Sequence, residues 1–336
     1  MAVTLANPQD VTLHYSTISN SYAPENVLSG TAQSHYEFSL SGLQSGTSYY
    51  YYVEYGGQTT SEYRFTTSSL SDRPFRFVAF GDSQDQSGTA VHRDIVARTY
   101  AYHPDVVIRT GDLVEQGSKL SLWQSFFAIE RPLLSSALYL PQQGNHESIT
   151  SANSNFINFF ALPPLPSTEK YYSVRYNNTL FLALYTEAVA DLSNTTISSN
   201  QLAWLNTTLD SANADPSIRW KVAYFHRPLF SSGEHGSDLK VRTAFQSVFE
   251  SKGVNVVFNG HDHDYERSVV GSVQYLVIGG GGSDLRPVGS DPTRTVYSES
   301  TFHFVVADVD GGQLTVNAYR RDGSRMDGFT LNRTNP

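Results

Sequence analysis

Seven side chains in this sequence are of types that hold metal ions, and each lies just past an apolar, β-rich run. Phe75 to Phe80 leads into Gly81-Asp82, and Val106 to Thr110 leads into Gly111-Asp112. Leu138 to Pro141 precedes Gly144-Asn145-His146-Glu147, Trp220 to Phe225 precedes His226, and Val254 to Phe258 precedes Gly260-His261-Asp262-His263. Asp82, Asp112, Asn145, His146, His226, His261 and His263 offer only oxygen and nitrogen, donors that suit Zn, Mn or Fe. Two ions about 3.5–4 Å apart need a bridging carboxylate and roughly three further ligands each, and this set is the right size. The glycine before each Asp, Asn or His is expected to let the backbone turn sharply off its strand. Singly, each piece has a plainer reading. Gly-Asp after a strand commonly caps a helix, and a lone His at a strand end is usually a packing residue. Five such pieces in succession point to one shared metal site.

The segments between these strand ends carry helical periodicity: Val91, Ile95 and Val96; Trp123, Phe126 and Phe127; Leu202, Leu205 and Leu209; Leu239, Val241 and Phe245. Strand, loop and helix alternate from Phe75 onward, which predicts an α/β domain over 75–336 with its site at the strand C-termini. Tyr275 to Ile278, Phe302 to Val309 and Leu314 to Tyr319 read as closing strands, and Gly279 to Gly282 as a tight turn lining the cleft. Residues 1–68 read differently. Val11 to Tyr15 and His35 to Leu40 alternate, Ser48 to Tyr55 is a Tyr-rich run, and Gly56-Gly57 turns into Glu62 to Thr67. That is the pattern of a small β-sandwich. Polar residues 69–74, closed by Pro74, are expected to be a linker.

Composition narrows the function classes. The chain has 336 residues, 39% hydrophobic and 13% aromatic, enough for a sizeable core and unlike a disordered chain. No apolar run approaches the roughly 18 residues that would span a bilayer. A formal charge of −9, from 23 basic and 32 acidic residues with no basic run, argues against binding a nucleic acid polymer. Cysteine is absent, which excludes a disulfide scaffold, a thiolate zinc site and a cysteine nucleophile. Charged residues make up 16%, against about 25% in typical soluble domains. A surface of Tyr, Ser and Thr is expected of an exported or cell-surface protein, although no signal peptide opens this chain. Sequons at Asn177, Asn194, Asn206 and Asn332 occur about as often as chance would give, and oligomeric state is left open.

The ordered series Gly81-Asp82, Gly111-Asp112, Gly144-Asn145-His146-Glu147, His226 and Gly260-His261-Asp262-His263 resembles the calcineurin-like metallophosphoesterases. Gly260 to Arg267 (GHDHDYER) and Gln201 to Leu205 (QLAWL) are similar to the purple acid phosphatases among them. Leu43 to Tyr51 resembles a fibronectin type III module, here shorter than a complete one. The resemblance implies a four-layer αββα sandwich behind a small all-β domain. It implies that Asp82, Asp112 and His263 hold a first metal ion, and Asp112, Asn145, His226 and His261 a second, with Asp112 bridging. The pair would be divalent or mixed-valent Fe, Zn or Mn. His146 would sit beside the substrate phosphate and His235 near the leaving group. Two positions depart from purple acid phosphatases: Gln84 replaces a glycine and Glu115 replaces the tyrosine that binds ferric iron. Gln84 and Glu115 are therefore candidate additional ligands, and the purple colour is not expected.

The activity implied is hydrolysis of a phosphoric monoester by in-line attack of a metal-activated hydroxide, with His146 offsetting charge on the equatorial oxygens. Arg227 is a candidate phosphate contact, as are Arg109 and Arg267, although each also reads as a structural ion pair. The alternatives are a phosphodiesterase acting on nucleotides or lipid headgroups, and a surface protein that retains the fold without catalysis.

Overall fold

The computed structural model describes residues 1–23, 26–84, 89–148, 153–163, 170–188 and 195–333; the sequon at Asn194 lies outside them. The chain opens with strands β1 (Ala2–Ser16), β2 (Val27–Glu37), β3 (Ser48–Tyr55), β4 (Gln58–Thr59) and β5 (Tyr63–Thr66). Tyr49, Tyr51 and Val53 are the buried alternate residues of β3, Tyr51 and Val53 packing with Val11, Leu13, Tyr36 and Phe38 and Tyr49 stacking on Phe65, as a half-buried strand requires. Where the sequence suggests a two-sheet sandwich, these strands form one five-stranded sheet, ordered β2-β1-β3-β4 with β5 also on β3. The reason is β1. Its fifteen residues pair with β2 along one edge and β3 along the other, joining what would otherwise be two sheets.

From Phe75 the strands are β6 (Phe75–Phe80), β7 (Val106–Arg109), β8 (Leu138–Pro141), β9 (Tyr172–Tyr176), β10 (Thr179–Ala183), β11 (Trp220–Tyr224) and β12 (Val256–Asn259). They continue as β13 (Tyr265–Val270), β14 (Val273–Ile278), β15 (Thr295–Glu299), β16 (His303–Asp310), β17 (Gln313–Arg320) and β18 (Arg325–Asn332). The helices are α1 (Ala90–Ala101), α2 (Leu120–Leu134), α3 (Asn145–Ser148), α4 (Asn153–Phe159), α5 (Thr195–Ala214) and α6 (Leu239–Lys252).

Two sheets result, one ordered β18-β17-β16-β6-β7-β8 and the other β15-β13-β14-β12-β11-β10-β9. Their middle strands are parallel and apolar on both faces, so each contributes to two cores. Phe77, Ala79 and Ile108 face Phe181, Val222, Phe258 and Ile278 between the sheets. Val78, Phe80 and Val107 turn the other way, onto Ile95, Val96, Ile129 and Leu133 of α1 and α2. On the far side, Leu180, Leu182 and Val257 pack on Leu205 and Leu209 of α5 and on Val241, Phe245 and Phe249 of α6. The order helix, sheet, sheet, helix is the four-layer α/β arrangement. In α6, Asp238 accepts hydrogen bonds from the Lys240 and Val241 N–H groups and Gly253 closes the helix at φ 67°. Leu239, counted in the sequence as part of its apolar face, is the first residue of that helix and is exposed.

Asn177 ties residues 68–73 to the β9–β10 turn. It adopts φ 50°, accepts from Ser69 N–H at 2.8 Å, and donates to the Arg73 carbonyl at 2.9 Å. Its own N–H donates to Ser68 Oγ at 2.8 Å, and the residue is 2% exposed, so this sequon is a structural asparagine. Asn177→Ala is expected to cost about 2–4 kcal/mol, since it strains a left-handed residue and leaves buried partners unmet. Denaturant unfolding measures it, and a loss below about 0.5 kcal/mol would show that this segment needs no such tie.

Candidate metal centre

Every candidate ligand follows a parallel strand and lies where the C-terminal ends of the two sheets meet. Asp82 follows β6, Asp112 follows β7, Asn145 opens α3 after β8, His226 follows β11, and His261 and His263 follow β12. Three of them, Asp82, Asp112 and His261, take left-handed φ of 56°, 48° and 72°. A non-glycine residue pays about 1–3 kcal/mol for that conformation and keeps it only where its surroundings dictate it. The sharp turn therefore falls on the ligands themselves. Of the glycines before them, Gly111 is left-handed at φ 101°, but Gly81, Gly144 and Gly260 are not. These three are needed for clearance: a Cβ on Gly144 would collide with Asp112 Oδ1, one on Gly260 with Asp82 Oδ2, and one on Gly81 with Thr110 Oγ1.

His226 Nε2 is the focus of the site. It lies 3.1 Å from Asp112 Oδ2, 3.0 Å from Asn145 Oδ1 and 3.1 Å from His261 Nδ1. Its other nitrogen is 3.1 Å from the Thr110 carbonyl, which can only accept, so Nδ1 carries the proton. A neutral imidazole would then aim its Nε2 lone pair at two oxygen acceptors, whereas the imidazolium donates Nε2–H to Asp112 Oδ2. Burial opposes charge on His226, yet the adjacent Asp112 carboxylate outweighs it and lifts the group to about 10. The pocket favours positive charge at that point. His261 is held well below the usual imidazole range by burial and by its cationic neighbours His226 and Arg227. Among the described residues, Asp112, His226 and His261 form the group whose donor atoms all lie within 4.8 Å of one another.

A second set adjoins it through Asp112. His263 Nδ1 contacts the Asp284 carbonyl at 2.7 Å, leaving its Nε2 lone pair 3.7 Å from Asp82 Oδ1. The Gln84 amide nitrogen lies 3.3 Å from His263 Nε2 and 3.4 Å from Asp112 Oδ2. Asp82 Oδ2 and Gln84 Oε1 are buried with no hydrogen-bond partner. Burial and the Asp112 charge push Asp82 well above the normal carboxylate range. Two buried carboxylates, unpaired oxygens and imidazole lone pairs are the chemistry a pair of cations would satisfy, so these residues fit the metals.

The remaining candidates separate. Glu115 stands against His146, with its carboxylate 3.8 Å and its carbonyl 2.7 Å from Nδ1, outside the close group of donor atoms. His146 Nε2 lies 3.8 Å from Asp112 Oδ2. His235 lies at the mouth, its ring 4.3 Å from that of His261 and its Nδ1 3.0 Å from Asp262 Oδ1. Arg227 is ion-paired with Glu187 at 2.9 Å and points Nη1 at His261 Nε2, 3.3 Å away. Arg109 is fully buried, and Arg267 is paired with Asp327 at 2.6 Å, so neither offers a free phosphate contact. Tyr265, the nearest phenol in sequence, donates to Asp327 at 2.8 Å.

Two residues were not picked out from the sequence. Arg286 brings Nη1 to 2.8 Å from His235 Nδ1 and donates to the His261 carbonyl at 3.1 Å; no motif marks it. Glu147, visible only as the last letter of Gly-Asn-His-Glu, is buried and accepts from the N–H groups of Asp112 (3.0 Å), Leu113 (2.8 Å), Val114 (3.1 Å) and Gly144 (2.8 Å). Burial and the Asp112 charge raise it to about 7, but a protonated Glu147 would turn an O–H toward donors, so the charged form fits the geometry.

The calcineurin-like phosphoesterase family profile matches residues 75–265, and the chain belongs to that family. Purple acid phosphatase 22 of Arabidopsis thaliana is 30% identical over 239 residues, 67% of this chain and 51% of that protein. Probable purple acid phosphatase 20 of the same plant is 26% identical over 302 residues, 79% of this chain and 67% of that one. The chain thus spans about half to two thirds of these curated relatives. Among solved structures, a purple acid phosphatase from yellow lupin seeds superposes with a TM-score of 0.80 at 20% identity, covering 97% of this chain and 70% of that chain. PhoD superposes with a TM-score of 0.72 at 13% identity, covering 97% and 86%. At these identities the superpositions establish the fold.

Glu147→Gln is expected to destabilise the protein by about 2–4 kcal/mol, because the amide nitrogen would face backbone donors in a buried pocket. Thermal unfolding reads this directly, and an unchanged melting temperature would show that the four hydrogen bonds do not shape the Asp112 loop.

Proposed function

We propose that the chain is a dinuclear metal-dependent phosphatase acting on phosphoric monoesters. The observation that carries this is the meeting of Asp112, Asn145, His226 and His261 donor atoms at one buried point, with Asp82, Gln84 and His263 adjoining through Asp112. Asp112, Asn145, His226 and His261 would hold one ion. Asp82, His263 and the shared Asp112 would hold the other, and Gln84 would add an oxygen ligand only with its amide turned over, since the nitrogen faces Asp112 and His263. Bound there, the ions would supply Lewis acidity and an activated water.

The chain's own residues do the rest. His146, fixed through an Nδ1–H bond to the Glu115 carbonyl, would as an imidazolium present Nε2–H to the phosphate and offset its charge. His235, held by Asp262, stands where a departing oxygen would need a proton. Arg227, braced by Glu187, directs Nη1 toward His261 Nε2. Residues 1–68 contribute no candidate ligand, which supports a non-catalytic module joined by a 69–74 linker to a catalytic unit over 75–336. The low charge content supports action outside the cell.

Hydrolysis of aryl monoester and diester substrates by the metal-loaded protein tests the reading. The monoester is expected to be favoured, and Asp112→Ala is expected to lose both ions and turnover together. Preference for the diester would move the assignment to a phosphodiesterase, and hydrolysis of neither would remove catalysis. Without a phenolate ligand, the iron-loaded, oxidised protein is expected to lack an intense visible band, and Glu115→Tyr serves as the comparison. A strong band in the parent protein that disappears in Tyr265→Phe would overturn the ligand set.

A further inference from the structure

Arg109 is 0% exposed and lies behind the metal centre. Its Nε donates to the Phe80 carbonyl at 3.1 Å, Nη1 donates to Tyr139 Oη at 2.9 Å and to Glu130, and Nη2 donates to Ser83 Oγ at 2.5 Å. The guanidinium lies over the Phe80 ring, 3.9 Å from its centre. Glu130, buried on α2, is also held by His92 of α1, Nε2 to Oε1 at 2.7 Å. A charged chain thus runs from two helices through the sheet to a single hydroxyl. Ser83 lies between Asp82 and Gln84. A guanidinium can only donate, so Ser83 Oγ accepts from Arg109 and must turn its own proton to the Leu113 carbonyl, 3.2 Å away. Leu113 follows Asp112. The backbone repeats the tie, with Ser83 N–H donating to the Asp112 carbonyl at 3.0 Å.

We propose that Arg109 and Ser83 are positioning residues that set the spacing of Asp82 and Asp112, and through it the affinity of the first metal ion. The inference rests on the dinuclear reading above. Asp82 and Asp112 are both left-handed, a conformation that must be imposed by neighbours. The Ser83 hydroxyl links the residue after one to the residue after the other, and Arg109 fixes the direction of that link. Neither residue touches the substrate side of the centre.

Arg109→Ala would strand Glu130 in the core and is liable to unfold the chain, so Ser83→Ala carries the test. Mn²⁺ is titrated into chelator-stripped full-length protein by calorimetry, with the unfolding temperature of the stripped protein measured alongside. The parent protein is expected to take two ions. In Ser83→Ala one of the two affinities is expected to fall roughly 10–100-fold while the other stays within about threefold, as for loss of a group that orients a ligand. Ser83→Thr, which keeps the hydroxyl, is expected to restore it. A purely structural role would lower the unfolding temperature and leave both affinities in place, and that result would overturn the proposal. A parent protein that takes no Mn²⁺ would instead overturn the metal reading beneath it.

Discussion

Two oxygen acceptors, Asp112 Oδ2 and Asn145 Oδ1, lie 3.1 Å and 3.0 Å from the His226 nitrogen that faces away from the Thr110 carbonyl. That arrangement at His226 Nε2 is the constraint on which the rest of the site turns. Lone pairs buried face to face repel, and burial removes the water that would separate them. A positive charge relieves this: either a proton on Nε2, which despite burial the Asp112 carboxylate favours by lifting His226 to about 10, or a metal ion in its place. The Thr110 carbonyl creates this situation by claiming His226 Nδ1, so a backbone hydrogen bond remote from any substrate decides which atom faces the centre.

The fold exists, in this sense, to bring incompatible groups together. Each sheet alone carries about half of the donors: Asp82, Asp112 and Asn145 on the β6–β8 side, His226, His261 and His263 on the β11–β12 side. Apolar side chains between the sheets press the two rows of strand ends into register. Strain is then concentrated at the ends, where Asp82, Asp112 and His261 are left-handed. Small residues give the carboxylates room. Gly144 and Gly260 lie so close to the carboxylates of Asp112 and Asp82 that no side chain would fit. Glu147, accepting from four backbone N–H groups, and the Arg109–Ser83 pair fix the same loops from opposite sides.

Much of this was legible in the sequence because strand-end chemistry is local. A polar cluster after an apolar run picks out Asp82, Asp112, His226 and His261 as candidates without any knowledge of tertiary contacts. What a single sequence hides is partnership. Arg109 looks the same whether it reaches a phosphate or Glu130, and Glu115 looks the same whether it serves a metal or His146. Arg286 carries no local signal at all. The β9–β10 hairpin was missed although Asn177-Asn178 between apolar runs is a recognisable turn. The single N-terminal sheet depends on β1 pairing along both edges, which no local pattern records.

On the proposed reading Asp112 would be shared by two ions. Anomalous diffraction at the metal absorption edge, from crystals of the loaded protein, tests it most directly because it locates ions independently of activity. Two peaks are predicted, one among Asp112, Asn145, His226 and His261 and one among Asp82, Asp112 and His263. A single peak, or two peaks with Asp112 bound to only one of them, would contradict the account.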